Sequence, residues 1–195
     1  MNKNIEHYVF HKENFLDEKY CDDSINELNK SAWTKHDWYS PRTDSKNSPS
    51  GDNEPEYIQN DSNSNNKVVK INDFIVQNLH SVVFEYIESL KFQWYTSWTG
   101  YSAIKFIRYF PGQTMRNHCD HIHDMFDGER KGIPVLSIIG ILNDDFEGGE
   151  LIMFEDKKID TKKGDLIIFP SIFLYPHEIT PVSRGVRYSY VSWVW

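Results

Sequence analysis

The sequence predicts a mainly β protein with N-terminal helices, an antiparallel sandwich or jelly roll, and three observations carry that expectation. From residue 101 onward, short runs of β-branched and aromatic residues recur between turn signals. Before residue 91, apolar residues instead fall at helical spacing in two segments. The length of 195 residues suits one domain with a sizeable core rather than two complete ones. We therefore expect a single domain over 1–195, with 1–95 as a helical and loop part and 96–195 as the jelly-roll core.

Within 14–30, Phe15, Leu16, Tyr20, Ile25 and Leu28 are spaced for a modest surface helix with acids between them. The stretch 40–66 is dominated by Ser, Asn, Asp, Pro and Gly, with Tyr57 and Ile58 its only large apolar residues. So little apolar surface cannot offset the entropy of ordering, and a long loop is expected there. Over 68–90, Ile71, Phe74, Ile75, Leu79, Val82, Val83, Tyr86, Ile87 and Leu90 form a wide stripe suited to a helix lying on a sheet. Strands are expected over 101–110, 135–142, 150–154, 165–169 and 186–195. Turns divide them at Pro111-Gly112, Gly148-Gly149 and Lys163-Gly164-Asp165.

Charge narrows the partners. The formal charge of −8, from 21 basic and 29 acidic side chains, offers no general attraction to phosphate backbones, so nucleic acid is disfavoured. No apolar run approaches the roughly 18 residues needed to span a bilayer, and the polar start does not resemble a secretion signal. A soluble, cytoplasmic protein without a membrane partner is the expectation. The two cysteines, Cys21 and Cys119, do not define a disulfide framework.

The chemistry concentrates in Asn117-His118-Cys119-Asp120-His121, with Pro176-His177-Glu178 and Arg187-Tyr188-Ser189 far downstream. On an extended segment His118 and Asp120 project from the same face and Cys119 from the other. His177 must arrive from a separate strand. Two imidazoles and a carboxylate can occupy one face of an iron(II) ion, leaving positions for a co-substrate and dioxygen. A His-x-Asp pair alone is weak, since such pairs commonly sit on solvated turns or caps. The downstream histidine in a strand-rich context, followed ten residues later by Arg187, gives the pattern its weight. His121 and His123 also share a face and form a rival pair, whereas surface or supporting roles suit them better. His7, His11, His36 and His80 read as exposed or partly packed residues.

Several segments taken together resemble the iron(II)/2-oxoglutarate dioxygenases, most of all their prolyl 4-hydroxylase branch. They are Arg108-Tyr109-Phe110-Pro111-Gly112, His118-Cys119-Asp120, Leu142-Asn143, Phe146-Glu147-Gly148-Gly149-Glu150-Leu151, Gly164-Asp165, Phe169-Pro170-Ser171 and 177–193. The resemblance spans 101–195. It implies a double-stranded β-helix in which His118, Asp120 and His177 hold Fe(II), with 2-oxoglutarate as co-substrate, O2, and ascorbate as a candidate accessory. It also implies that Arg187 grips the far carboxylate of 2-oxoglutarate with help from Tyr109, a task that suits a permanently charged, forked guanidinium. Ser189, on the same strand face, is a candidate assistant, and Arg184, beside Gly185, reads as an exposed turn residue.

The activity implied is hydroxylation of a prolyl residue in a peptide or protein. Alternatives are another amino-acid side chain, a small metabolite or an alkylated nucleobase as target, or a non-catalytic metal-binding jelly roll. Collagen-type members usually carry Lys where Arg187 stands, which counts against a collagen-like substrate. Nucleobase demethylases resemble a pattern with a second Arg six positions after the first, where this chain has Trp193. The segments 40–66 and 124–134 are candidate lids over the target.

Overall fold

Sheets with two buried faces dominate the computed structural model, which describes residues 4–36, 53–59, 66–95, 97–120 and 134–195. In chain order the strands are β1 (Phe10–Lys12), β2 (Thr34–Lys35), β3 (Glu56–Gln59), β4 (Lys105–Tyr109), β5 (Met115–His118), β6 (Leu136–Ile141) and β7 (Glu147–Gly148). They continue as β8 (Leu151–Met153), β9 (Lys157–Ile159), β10 (Leu166–Pro170), β11 (His177–Ile179), β12 (Val182–Arg184) and β13 (Arg187–Val194). Two α-helices, α1 (Glu18–Leu28) and α2 (Asn66–Leu90), precede most of them. A seven-stranded sheet runs β1-β10-β6-β13-β4-β3-β2, a four-stranded sheet runs β5-β11-β8-β9, and β12 pairs with β7. All named pairings are antiparallel. This rolled pair of sheets is the expected jelly-roll core.

Period-two alternation sorts the large sheet's side chains onto two cores. Ile104, Phe106, Leu136, Ile138, Leu166, Ile168, Tyr190 and Val194 meet Val68, Ile71, Ile75, Leu79, Val82, Val83, Tyr86 and Ile87 of α2. Ile107, Tyr109, Ile139, Ile141, Ile167 and Phe169 point the other way, toward Met115, Leu151, Met153 and Ile179 of the smaller sheet. Both faces of β6 and β10 are thus covered, which explains their nearly unbroken apolar sequences. Gly140 faces Tyr190 in register, and a Cβ on it would fall 1.9 Å from the tyrosine ring, so the ring occupies the space a side chain would fill.

Helix α1 starts where Asp17 accepts a hydrogen bond from the Tyr20 amide at 2.7 Å, a side-chain N-cap. Asn72 of α2 accepts from the Ile104 amide at 2.9 Å, tying the helix to the chain entering β4.

One expectation needs correction. Within 40–66, expected to be loop, Glu56–Gln59 forms β3 and pairs with β4. The exposed backbone of β4 supplies partners, while Ile58, 7% exposed, joins the helix-side core, so two apolar residues suffice. Residues 40–52 and 60–65 of that segment, and 124–133 of the second candidate lid, lie outside the described residues. Among the described residues, no helix is long and apolar enough to cross a membrane.

Candidate active site

Strands β5 and β11 pair so that His118 and His177 stand directly opposite each other. Directly opposed residues in an antiparallel pair bring their side chains together, and here the imidazole centroids are 4.4 Å apart. Asp120, two residues beyond His118, places Oδ1 3.4 Å from His118 Nε2 and 3.8 Å from His177 Nε2. Of the described residues, these three form a cluster whose donor atoms all lie within 4.8 Å of one another. Cys119 is outside it, with its thiol donating to the Phe173 carbonyl at 3.4 Å. His121 and His123 lie outside the described residues.

Each ring is oriented by a hydrogen bond on its far side. His118 Nδ1 lies 2.8 Å from the Arg116 carbonyl, and His177 Nδ1 lies 3.1 Å from the Tyr175 carbonyl. A carbonyl can only accept, so Nδ1 carries a proton in both rings, and Nε2 is the atom each ring turns toward Asp120 and would offer to a metal once free of any proton shared with that carboxylate. Phe169 packs edge-on against His177 with centroids 5.0 Å apart, holding the ring's tilt. Burial pushes the His177 pKa down, keeping it neutral. For Asp120, burial opposes ionisation, but hydrogen bonding to His118, the adjacent imidazoles and a hydrogen bond from Ser137 outweigh it and hold the carboxyl well below the usual carboxylate range. Ser137 is itself fixed by Ser171, with oxygens 2.6 Å apart.

Neutral imidazoles and an ionised carboxylate are the protonation states a divalent ion requires. Two donors each about 2.1 Å from an ion stand about 3 Å apart when adjacent in its coordination shell, so this cluster needs only small side-chain adjustments to close on a metal. The N, N, O set on one side of the ion fits iron(II).

On the larger sheet, β13 opens with Arg187, only 1% exposed and in register with Tyr109 of β4. Its Nη1 donates to Ser189 Oγ at 2.7 Å, and its Cζ lies 5.2 Å from the centroid of the Tyr109 ring and 5.9 Å from that of Phe146. No carboxylate among the described residues pairs with it. Burial pushes the Tyr109 hydroxyl up to about 12, so it keeps its proton and can donate. Gly149, at φ +62°, leaves room for the arginine stem, since a Cβ there would lie 3.0 Å from Arg187 Cδ. Arg184 is 79% exposed and paired with Glu147 at 2.6 Å, away from this cavity.

Residues 104–195 match the family model of the 2OG-Fe(II) oxygenase superfamily. This segment is similar to members of that superfamily. The chain is 34% identical over 95 residues to a PKHD-type hydroxylase of Burkholderia ambifaria, covering 46% of this chain and 40% of that protein. The chain thus spans about 40% of the length of the curated relatives it matches. In fold, the chain is similar to a prolyl hydroxylase from Trichoplax adhaerens in complex with a hypoxia inducible factor peptide fragment, with TM-score 0.67 and 20% identity over 96% of this chain and 83% of that one. It is also similar to a viral collagen prolyl hydroxylase from Paramecium bursaria Chlorella virus-1, with TM-score 0.65 and 20% identity over 96% and 94% of the two chains.

Sequence reasoning singled out the residues of the cluster but not the groups packed around them. The Ser137–Ser171 pair and the space at Gly149 depend on which strands become neighbours, and no local pattern announces them. Lys105 could have been found. It shares strand parity with Tyr109 and so must face the same interior.

Proposed function

We propose that this protein is an iron(II)- and 2-oxoglutarate-dependent hydroxylase acting on a prolyl residue of a peptide or protein. His118, Asp120 and His177 would hold the metal, and Arg187 with Tyr109 would hold the co-substrate. The observation that carries the reading is Arg187. A guanidinium buried to 1% exposure, without a carboxylate partner among the described residues, faces the same interior as a two-histidine, one-carboxylate cluster. Uncompensated buried charge costs several kcal/mol, roughly, so the arginine belongs to a ligand of opposite charge.

Bound iron would supply the oxidising chemistry, with dioxygen consumed, one of its atoms entering succinate as 2-oxoglutarate loses carbon dioxide and the other delivered to the substrate as a hydroxyl. The protein's own groups hold and exclude. Arg187 would grip the distal carboxylate bidentately, Ser189 would fix the guanidinium plane, and Tyr109 would donate its hydroxyl proton as a hydrogen bond. Ile107, Ile139, Ile141 and Phe169 line the inner core between clamp and cluster and exclude water from the aliphatic part of the diacid. No side chain need act as general acid or base; positioning is the protein's contribution.

The prolyl target is supported by the relatives' hydroxylase names and by the peptide bound to the Trichoplax protein. A cytoplasmic location belongs to the same proposal and agrees with two cysteines that form no disulfide. The test is incubation with iron(II), 2-oxoglutarate and proline-containing peptides, following succinate and the gain of one oxygen atom on the peptide by mass spectrometry. Succinate coupled to hydroxyproline is expected. Peptides left unchanged while amino acids or small metabolites gain oxygen would move the target, and absence of succinate with every candidate would overturn the reading.

A further inference from the structure

Lys105 opens β4 on the interior side of the sheet. Phe106 points to the helix-side core, Ile107 and Tyr109 point inward, and Lys105 shares their parity. Its register neighbours are Val191 on β13 and Gln59 on β3. A lysine in such a place must bury most of its length beside apolar residues, and its ammonium finds little to compensate.

Among the described residues that ammonium sits over the Tyr57 ring, whose centroid lies 4.2 Å from Nζ. No carboxylate among the described residues lies within ion-pair distance of it. A cation over an aromatic face gains about 0.5–2 kcal/mol, whereas taking an ammonium out of water costs several. Burial accordingly pushes the Lys105 pKa down to about 8, with the negative charge of Asp120 pulling it back up. Lys105 thus lies within electrostatic reach of the metal-ligand cluster. His36 stands edge-on to the same Tyr57 ring at 6.2 Å, and burial, reinforced by Lys105, His118 and Arg116, pushes its pKa down to about 3. That imidazole is neutral and adds no charge, and Glu54 is turned to His36, with its Oε2 3.7 Å from Nδ1.

Distance separates this lysine from the arginine clamp. Four residues of extended strand, Lys105 to Tyr109, cover about 13 Å. A five-carbon diacid with bonds of about 1.5 Å spans no more than about 7 Å. A diacid held at Arg187 therefore ends short of the Lys105 backbone, and only the extended lysine side chain can close the remaining gap.

We propose that Lys105 is a second carboxylate-binding residue of the active site, seated at the metal end and opposite in role to Arg187. The carboxylate could belong to the metal-side end of the co-substrate or to an acidic residue of the substrate; the chemistry that recognises it is the same. This inference rests on the metal and co-substrate reading given above.

Two measurements on the full chain separate the sources. The first is 2-oxoglutarate affinity, read as thermal upshift in the presence of Mn(II), for the wild type, Lys105→Gln and Lys105→Arg. The second is turnover of three proline-containing peptides identical except for Glu, Gln or Lys beside the proline. A tenfold or greater loss of 2-oxoglutarate affinity in Lys105→Gln, recovered in Lys105→Arg, assigns the lysine to the co-substrate. Unchanged 2-oxoglutarate affinity, with a tenfold wild-type preference for the Glu peptide that disappears in Lys105→Gln, assigns it to the substrate. If 2-oxoglutarate affinity and peptide preference are both the same in Lys105→Gln as in wild type, the inference is overturned and the parent reading stands. If the wild type shows no upshift with 2-oxoglutarate, both fall together.

Discussion

Replacing Arg187 with Met should make the ligand-free protein more stable and the enzyme useless. The arginine is 1% exposed, and its recorded polar contact is one hydrogen bond, to Ser189 Oγ at 2.7 Å. Removing that bond costs about 1–3 kcal/mol, because Ser189 is also buried and loses its donor. Removing an uncompensated buried charge returns several kcal/mol, roughly. Methionine follows the same path with a flexible apolar stem, so the net change should be about 2 kcal/mol of stabilisation, or about 4–8 °C in Tm for a chain of this size. The ligand response should move the other way. Two charge-assisted hydrogen bonds at about 1.5–3 kcal/mol each are lost, so 2-oxoglutarate should bind at least about a hundredfold more weakly. Wild-type protein with Mn(II) and 2-oxoglutarate at a hundred times Kd should gain about 2.7 kcal/mol, and the variant at the same concentration almost none. Differential scanning fluorimetry with and without both ligands reads the whole pattern. If Arg187→Met is instead destabilised in the absence of ligand by more than about 2 kcal/mol, the guanidinium is a structural post and the clamp argument is wrong.

Three further outcomes follow from single observations. Gly149→Ala places a side chain at φ +62° with its Cβ 3.0 Å from both Arg187 Cδ and Val182 Cγ2; left-handed backbone alone costs about 1–2 kcal/mol, and calorimetry of 2-oxoglutarate binding should show at least tenfold weakening as the arginine is displaced. Tyr190→Phe should stabilise the protein by about 1 kcal/mol in urea unfolding, because the Tyr190 hydroxyl is buried without a hydrogen-bond partner among the described residues; destabilisation would show that the hydroxyl is satisfied. Burial pushes the Cys21 thiol from 9.0 up to about 12, so above pH 9 the unfolded chain sheds a proton that the folded chain keeps. Stability is therefore complete below pH 9 and falls toward pH 12, by at most about 1.4 kcal/mol per pH unit from this group. Urea midpoints from pH 8 to 11 should decline more steeply in the wild type than in Cys21→Ala, and equal slopes would remove the thiol from the account.

How far the sequence could be read follows from how each element earns its place. Helix α2 was expected over 68–90 and runs from Asn66 to Leu90, because its apolar stripe is long enough to outweigh local ambiguity. Strands β4, β6, β10 and β13 were visible because apolar residues on both faces leave no other use for such sequence. The four residues of β3 and the two of β2 were not visible. They exist by hydrogen bonding to the edge of a sheet, and only pairing defines them. The same division runs through the site. His118, Asp120 and His177 stand out by residue type and spacing, and the β5–β11 register then brings them together. Ser137, which steadies Asp120, is one serine among many until β6 and β10 place it beside Ser171.

The placement of charge also separates what holds the fold from what awaits a ligand. The chain carries −8 overall, and most of its recorded ion pairs are surface contacts of the kind worth at most about 1 kcal/mol. Arg187 and Lys105 differ from these. Both face inward on adjacent strands, both lack a carboxylate among the described residues, and the β4–β13 register fixes their separation. Charges on a surface of this sign act over about 8 Å at physiological salt, so an anion is not drawn in from far away. Inside a cavity with apolar walls the same positive charges act with far less screening. Under the proposed function, selectivity for a diacid would come from spacing: a carboxylate bound at Arg187 alone would leave the metal end unserved, whereas a molecule long enough to reach the cluster would meet a second cation and the metal together. The inner core formed by Ile107, Ile139 and Ile141 sets that spacing, and so the packing that stabilises the sheets also measures the ligand.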